Sequence, residues 1–286
     1  MTEIKDIGIY FDDFFNNCFN AIKKEHNFQS LTESNKPNNA FRKGIYITPV
    51  NHINNEYHFN LLRCSSNFDG PTDNFRETDK YIVDKLNKVA KEHYNGPAQF
   101  NHILAQIYEN TRTENNKEHK ASIKAHSDKT KDMPINGLMA FCTFYDRQVS
   151  DIEEMTSIQF KLKDCVANHK LEKKVDIILK PNSVLIIPLL TNRLYTHEIK
   201  PSKLNIDRIP TRMGYVARCS KTKAVYKDNK TFVIDEDGEH EMQPMTDEMM
   251  THIKTLYYKE NMTDDVIHYG NVYTSLNNGD YLCPLI

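Results

Sequence analysis

The chain has 286 residues, 39% of them hydrophobic, with 14 Phe, 15 Tyr and no Trp, enough apolar material for one large or two small folded units. Its 37 basic and 39 acidic residues leave a formal net charge of -2, so no global field draws it to nucleic acid or to an anionic membrane. Six scattered cysteines with no Cys-x-x-Cys pair exclude a disulfide framework and a zinc-finger spacing, and point to a reduced, intracellular setting, cytoplasmic or nuclear.

The first residues, Met1 to Asp6, lack a basic stretch followed by an apolar one, and no apolar run approaches ~18 residues, so neither a signal peptide nor a membrane-spanning helix is expected. From Ile7 to Phe19, the residues Phe11, Phe14, Phe15, Cys18 and Phe19 fall at helical spacing and predict a helix packed on the core. Asn27 to Asn39 shows no periodicity and predicts a loop. Residues 40–70 alternate apolar and polar, with strands around Gly44–Thr48 and Tyr57–Arg63 joined by an Asn-rich turn. Tyr81, Ile82, Leu86, Val89 and Ala90 predict an amphipathic helix from Thr78 to Tyr94, its Lys and Glu on a solvated face.

Phe100 to Tyr108 reads as a buried strand, and Glu109 to Lys120 as a polar loop. Further strands are predicted at Gly137–Tyr145, Ser157–Lys163 and Arg212–Arg218, with a strand-turn-strand pair across Pro181-Asn-Ser from Val175 to Pro188. Residues 165–174 form a charged connector. Seven or eight short strands with little helix between residues 98 and 220 suggest a double-sheet jelly roll or barrel with helices outside. Beyond residue 220, short strands flank an exposed turn at Asp235-Glu-Asp-Gly, and Met245 to Tyr258 predicts a helix with Thr246 as N-cap and Asp247 and Glu248 in its first turn. The expected units are 1–97, helices and strands that support the core and offer a place for a substrate lid; 98–220, the jelly roll; and 221–286, an extension packed on it.

One short stretch carries chemistry. His126-Ser-Asp128 puts an imidazole and a carboxylate two residues apart, on the same side of an extended segment, and no other histidine of this chain has an acidic residue two positions on. Two histidines and one carboxylate with open positions form the ligand set of non-haem Fe(II) oxygenases. A third ligand must come from a later strand, and His197 fits. His169, His240, His252 and His268 fall in charged or peripheral segments and read as surface residues. Arg212 and Arg218, six apart on one apolar strand, point to the same face, and a planar guanidinium suits a carboxylate cosubstrate.

In order along the chain, Gln106-Ile-Tyr108, His126-Ser-Asp128-Lys129, Leu179-Lys-Pro-Asn-Ser-Val-Leu-Ile-Ile, Arg193-Leu-Tyr-Thr-His197-Glu-Ile and the Arg212/Arg218 pair resemble the Fe(II)/2-oxoglutarate-dependent dioxygenases, most closely the AlkB-like branch. The resemblance spans residues 100–220. It implies an α+β fold with a mainly β core, the double-stranded β-helix form of the jelly roll, with flanking helices. It implies Fe(II) held by His126, Asp128 and His197, and 2-oxoglutarate bound by Gln106, Tyr108, Arg212 and Arg218. Arg218 would lie near the metal and complete the catalytic set. O2 is the second cosubstrate, with ascorbate as a supporting reductant. Gln stands at 106 where the branch has Asn, the loop from Tyr108 to His126 is longer, and an insertion falls around Asp164 to Lys174. The first hundred residues and those after 220 show no match.

Three functions follow. The first is oxidative demethylation or hydroxylation of a nucleobase in DNA or RNA, with Tyr46, Tyr57 or Phe59 as the stacking aromatic and Lys117, Lys120, Lys124, Lys129 and Lys131 as phosphate contacts. The second is hydroxylation of a protein side chain. The third is a jelly-roll binding module without activity.

Overall fold

The computed structural model describes residues 1–32, 39–64, 66–148 and 150–286. Eight strands build the core: β1 His102–Tyr108, β2 Ile123–His126, β3 Leu138–Tyr145, β4 Ser157–Leu162, β5 Lys174–Ile178, β6 Ser183–Pro188, β7 Tyr195–Lys200 and β8 Arg212–Arg218. They form two antiparallel sheets, β1-β8-β3-β6 and β2-β7-β4-β5. The chain passes back and forth between them, which is the double-stranded β-helix. No described helix is long and apolar enough to cross a membrane.

Strand alternation decides what each face does. On β8, Met213, Tyr215 and Ala217 join the core shared with helices α1 Phe19–Glu25 and α2 Glu77–His93. Arg212, Gly214, Val216 and Arg218 face the opposite way, into a cavity between the two sheets. β1 follows the same period of two, with Ile103, Ala105 and Ile107 toward the helices and Leu104, Gln106 and Tyr108 toward the cavity. A second core, including Phe160, Ile177, Leu185 and Ile187, fills the rest of the gap between the sheets.

The larger sheet continues beyond both edges to ten strands. Gly8–Phe11 pairs with β6 on one side, and Asn39–Thr48 pairs with β1 on the other. A five-stranded sheet joins Asn51–Ile53 and Glu56–Leu61 to Thr222–Lys227, Lys230–Asp235 and Gly238–Glu241. Residues before and after the core therefore share one sheet.

Four elements differ from the sequence reading. The helix expected over Ile7–Phe19 is a strand, Gly8–Phe11, a loop, and only then α1. Ile9, Tyr10 and Phe11 suit a strand, the edge of β6 offers unpaired backbone groups, and Asp13 at φ 46° interrupts the run. Phe11, Phe15, Cys18 and Phe19 are nonetheless buried together. The loop expected over Asn27–Asn39 contains a strand, Gln29–Thr32, paired with Asn39–Thr48; residues 33–38 lie outside the described ones. The polar stretch Glu109–Lys120 holds a small hairpin of Thr111–Arg112 with Glu118–His119. Finally, β5 and β6 do not pair with each other. Asn182 in the left-handed region (φ 59°) turns the chain from one sheet to the other. On α2 the buried stripe is Ile82, Val83, Leu86, Val89 and Ala90, and Tyr81 is 41% exposed.

A buried ionic cluster ties α1, α2 and β8 together. His26 meets Asp73 Oδ2 through Nδ1 and Asp79 Oδ2 through Nε2, each at 2.8 Å. Two carboxylate acceptors require both ring nitrogens to carry protons, so the ring is an imidazolium. Asp79 also accepts from the Tyr215 hydroxyl at 2.8 Å and from the Arg76 N–H at 2.8 Å. Burial alone would push the His26 ring down, but the hydrogen bonds and charges of Asp73 and Asp79 outweigh it and hold the ring up at about 9. The stabilisation is complete below the unfolded value near 6.5 and is lost as pH rises through about 9. Relative to His26→Gln, the wild type is expected to lose on the order of 3 kcal/mol of stability between those limits; urea denaturation of both proteins at pH 6 and pH 9.5 measures it.

Candidate metal centre

β2 and β7 pair so that His126 stands directly opposite His197, with ring centroids 4.5 Å apart. Asp128 follows two residues after the end of β2. Its Oδ1 lies 3.3 Å from His126 Nε2 and 3.9 Å from His197 Nε2. The three potential ligand atoms are all within 4.8 Å of one another. Donors bonded at about 2.0–2.2 Å to one shared cation would sit at comparable separations, so the donor set fits a divalent metal.

The surroundings of each donor suit metal binding. His126 Nδ1 lies 2.8 Å from the Lys124 carbonyl. As the donor of that bond it leaves Nε2 with its lone pair toward Asp128. His197 is buried, with Phe141 and Phe160 against its ring at 5.3 and 5.9 Å. Burial, reinforced by His126, pushes it down to about 3, so it is neutral at pH 7, the form that binds metal. Burial opposes ionisation of Asp128, but Arg218 first and then the two histidines hold it well below the usual carboxylate range. Arg218 donates from Nε at 3.0 Å and Nη2 at 2.5 Å to Asp128 Oδ2. That bidentate contact occupies one carboxylate oxygen and leaves the other facing the histidines.

The loop bearing Asp128 is held from behind by residues distant in sequence. Asn192, on the short helix α3 Leu189–Leu194, accepts from the Asp128 N–H at 2.8 Å and donates to the Asp128 carbonyl at 2.9 Å. Helix α4 Asp247–Met262 supplies three more contacts. Asn261 accepts from the Ser127 N–H at 2.6 Å, Glu260 from the Thr130 N–H at 3.1 Å, and the Tyr257 carbonyl from buried Lys129 at 3.1 Å. Beyond the loop, Arg63 and Asp132 form a buried ion pair at 2.6 Å.

The same cavity, about 570 Å³, reaches Gln106, Tyr108 and Arg212. The Arg212 guanidinium lies 3.9 Å from the centre of the Tyr108 ring, and Tyr108 donates to Gln106 Oε1 at 3.3 Å. Arg212 is only 5% exposed, and its Nη2 has no partner among the described residues. Gly214 makes this possible. A Cβ there would come within 3.0 Å of Arg212 Nη1 and 3.1 Å of Tyr108 Cε2. Arg42 stands opposite Tyr108, which stands opposite Arg212, on three neighbouring strands. It too lines the cavity, and its Nε is buried without a partner among the described residues.

The seven residues singled out in the sequence thus lie around one cavity. Sequence reasoning missed Arg42, Asn192, Glu260 and Asn261. Two of its expectations are corrected. Tyr46 and Phe59 are buried in apolar clusters, Tyr57 stacks on His52 in the five-stranded sheet at 4.5 Å, and none of the three lines the cavity. The lysines do not form one phosphate-binding patch either. Lys120 donates to the Ser202 and Leu204 carbonyls, Lys129 is buried, Lys131 is half-buried, and only Lys117 and Lys124 are exposed. His169, His252 and His268 are exposed, and His240 pairs with Asp235 at 3.0 Å. A second group of potential ligands, Glu25, His26 and Asp79, has no free imidazole lone pair, because both His26 nitrogens face carboxylates.

No protein-family model matches the chain, and neither does any curated protein sequence. Among solved structures, that of OsALKBH1 is similar over 76% of this chain and 99% of its own, with a TM-score of 0.47 and 14% sequence identity.

Asn192 is the most direct probe of the loop. Asn192→Ala orphans a buried N–H and a buried C=O, at about 1–3 kcal/mol each. It is expected to weaken Mn(II) binding by about 10–100-fold, read by electron paramagnetic resonance titration of the folded variant.

Proposed function

We propose that the chain is an Fe(II)- and 2-oxoglutarate-dependent dioxygenase with an AlkB-like site. One observation carries the reading. A single cavity holds a His-Asp-His donor set at one end and, at the other, a buried arginine that has no hydrogen-bond partner among the described residues. His126, Asp128 and His197 would hold the metal. When bound, Fe(II) with 2-oxoglutarate and O2 supplies oxidation of a substrate C–H bond, with 2-oxoglutarate leaving as succinate and CO2.

The chain's own residues bind and orient. Arg212, braced on Tyr108, takes the distal carboxylate of the cosubstrate, and Arg42 offers a second cation from the next strand but one. Gln106 fixes the Tyr108 hydroxyl. Arg218 keeps Asp128 ionised and aimed. Phe141, Ile158, Ile199 and Val216 line the cavity between the two ends and exclude water from the reacting centre. The substrate class suggested by the paired arginines is an alkylated nucleobase, demethylated with release of formaldehyde. Because none of the expected stacking aromatics lines the cavity, hydroxylation of a protein side chain stands as the second reading.

Succinate formation tests the proposal without knowledge of the substrate. With Fe(II) and O2, the wild type is expected to convert 2-oxoglutarate slowly to succinate, and Asp128→Ala to form none. Arg212→Ala is expected to raise KM for 2-oxoglutarate by about 10–100-fold and Arg42→Ala by about tenfold, each through loss of a charge-assisted contact. Succinate formation indifferent to Asp128→Ala would refute the proposal. Formaldehyde release from N-methylated oligonucleotides, compared with hydroxylation of peptides, then separates the two substrate readings.

A further inference from the structure

The chain contains nine arginines. Six reach carboxylates or backbone carbonyls: Arg63, Arg76, Arg112, Arg147, Arg208 and Arg218. The other three, Arg42, Arg193 and Arg212, have no hydrogen bond or ion pair among the described residues. Arg42 and Arg212 line the cavity of the metal centre. Arg193 lines a different cavity, about 890 Å³, bounded by the end of the metal-loop segment, α3 and the segment after α4.

This second cavity is both cationic and apolar. Lys131 and Lys221 line it with Arg193, and neither forms an ion pair among the described residues. The Arg193 Nε is shielded from solvent and has no partner among them. Two carboxylates also line the cavity: Glu260, which accepts from Thr130 and Tyr269, and Asp265, which is exposed and forms no ion pair among the described residues. Met133, Leu189 and Ile267 supply an apolar wall. Leu190, Val266 and Ile135 are exposed at its rim, by 50%, 46% and 88%. A guanidinium whose buried Nε has no hydrogen-bond or ion-pair partner among the described residues, beside exposed apolar side chains, matches a molecule with an anionic head and an apolar body.

We propose that this cavity is a second ligand site, for a carboxylate or phosphate carried on an apolar body, and that it is linked to the metal loop through α3. The link is short. Asn192, the neighbour of Arg193, also lines the cavity, and it holds both the N–H and the C=O of Asp128. An anion drawn to Arg193 fixes α3, and with it the clamp on Asp128. Because linkage is reciprocal, an occupant tightens metal binding by the factor by which metal tightens the occupant.

The test is calorimetric titration of the full chain with decanoate, and with decyltrimethylammonium as the charge-reversed control. Saturable binding of decanoate alone is expected. Arg193→Gln should weaken it about tenfold, from loss of one charge-assisted contact. Lys221→Glu, at an exposed position, should weaken it without disturbing the fold. Arg212→Ala and excess 2-oxoglutarate should leave it unchanged, since both act at the other cavity. Bound decanoate should also lower the Mn(II) dissociation constant. Equal binding by Arg193→Gln and Lys221→Glu, equal binding of the cationic amphiphile, or displacement by 2-oxoglutarate would each overturn the site. Decanoate binding with unchanged Mn(II) affinity would overturn the link. Failure of Mn(II) to bind at all would refute the metal reading, and the decanoate titrations would still decide the second site.

Discussion

Asp128 sits in a buried corner with two imidazoles on one side and a guanidinium on the other, and its contact with Arg218 governs the arrangement. A carboxylate taken out of water at this depth is costly unless it is paired and hydrogen-bonded. Arg218 meets that requirement through two nitrogens on one oxygen. The consequence is directional as well as energetic. One oxygen is committed to the guanidinium, and the other is held toward His126 and His197. Arginine is the residue for this task because its planar fork stays charged when buried.

Arg218 can reach Asp128 because β8 runs through the middle of the larger sheet. Its alternation turns Arg212 and Arg218 into the same cavity, while Tyr215 on the other face joins the His26 cluster. One strand thus links both ends of the site to the packing of α1 and α2. The loop carrying Asp128 has no comparable support of its own. It is a connection between the sheets, and its backbone groups are satisfied by Asn192, Glu260 and Asn261 from helices far along the chain.

Much of this was legible in the sequence because it depends on short-range periodicity. Alternation placed Arg212 and Arg218 on one face, and the spacing of two placed His126 beside Asp128. The β-rich stretch between residues 98 and 220 signalled the jelly roll. The unreadable parts depend on tertiary partners. Residues 8–11 could add to an existing sheet edge, and the edge is visible only once β6 is in place. The sequence predicts a final helix ending at Tyr258, yet α4 continues to Met262, and its last turn is the one whose Glu260 and Asn261 hold the loop bearing Asp128. Asn192 carries no local signal, since an amide on a one-turn helix looks the same whether it faces solvent or the backbone of Asp128. Arg42 sits opposite Tyr108 through strand pairing alone. The aromatic residues and Lys129 expected to meet nucleic acid are out of reach for the same reason. Tyr46, Phe59 and Lys129 have the right side chains for a binding surface, but the fold buries them.

On the proposed function, one cavity binds a metal through His126, Asp128 and His197 together with a dicarboxylate that reaches Arg212. The most direct measurement is the visible absorption of the protein under anaerobic conditions with Fe(II) and 2-oxoglutarate. Chelation of the keto acid to protein-bound iron gives a weak charge-transfer band. That band is expected in the wild type and lost in His126→Ala. A well-folded, iron-loaded wild type without the band would rule out the iron and 2-oxoglutarate site and leave a jelly-roll protein whose buried arginines bind another ligand.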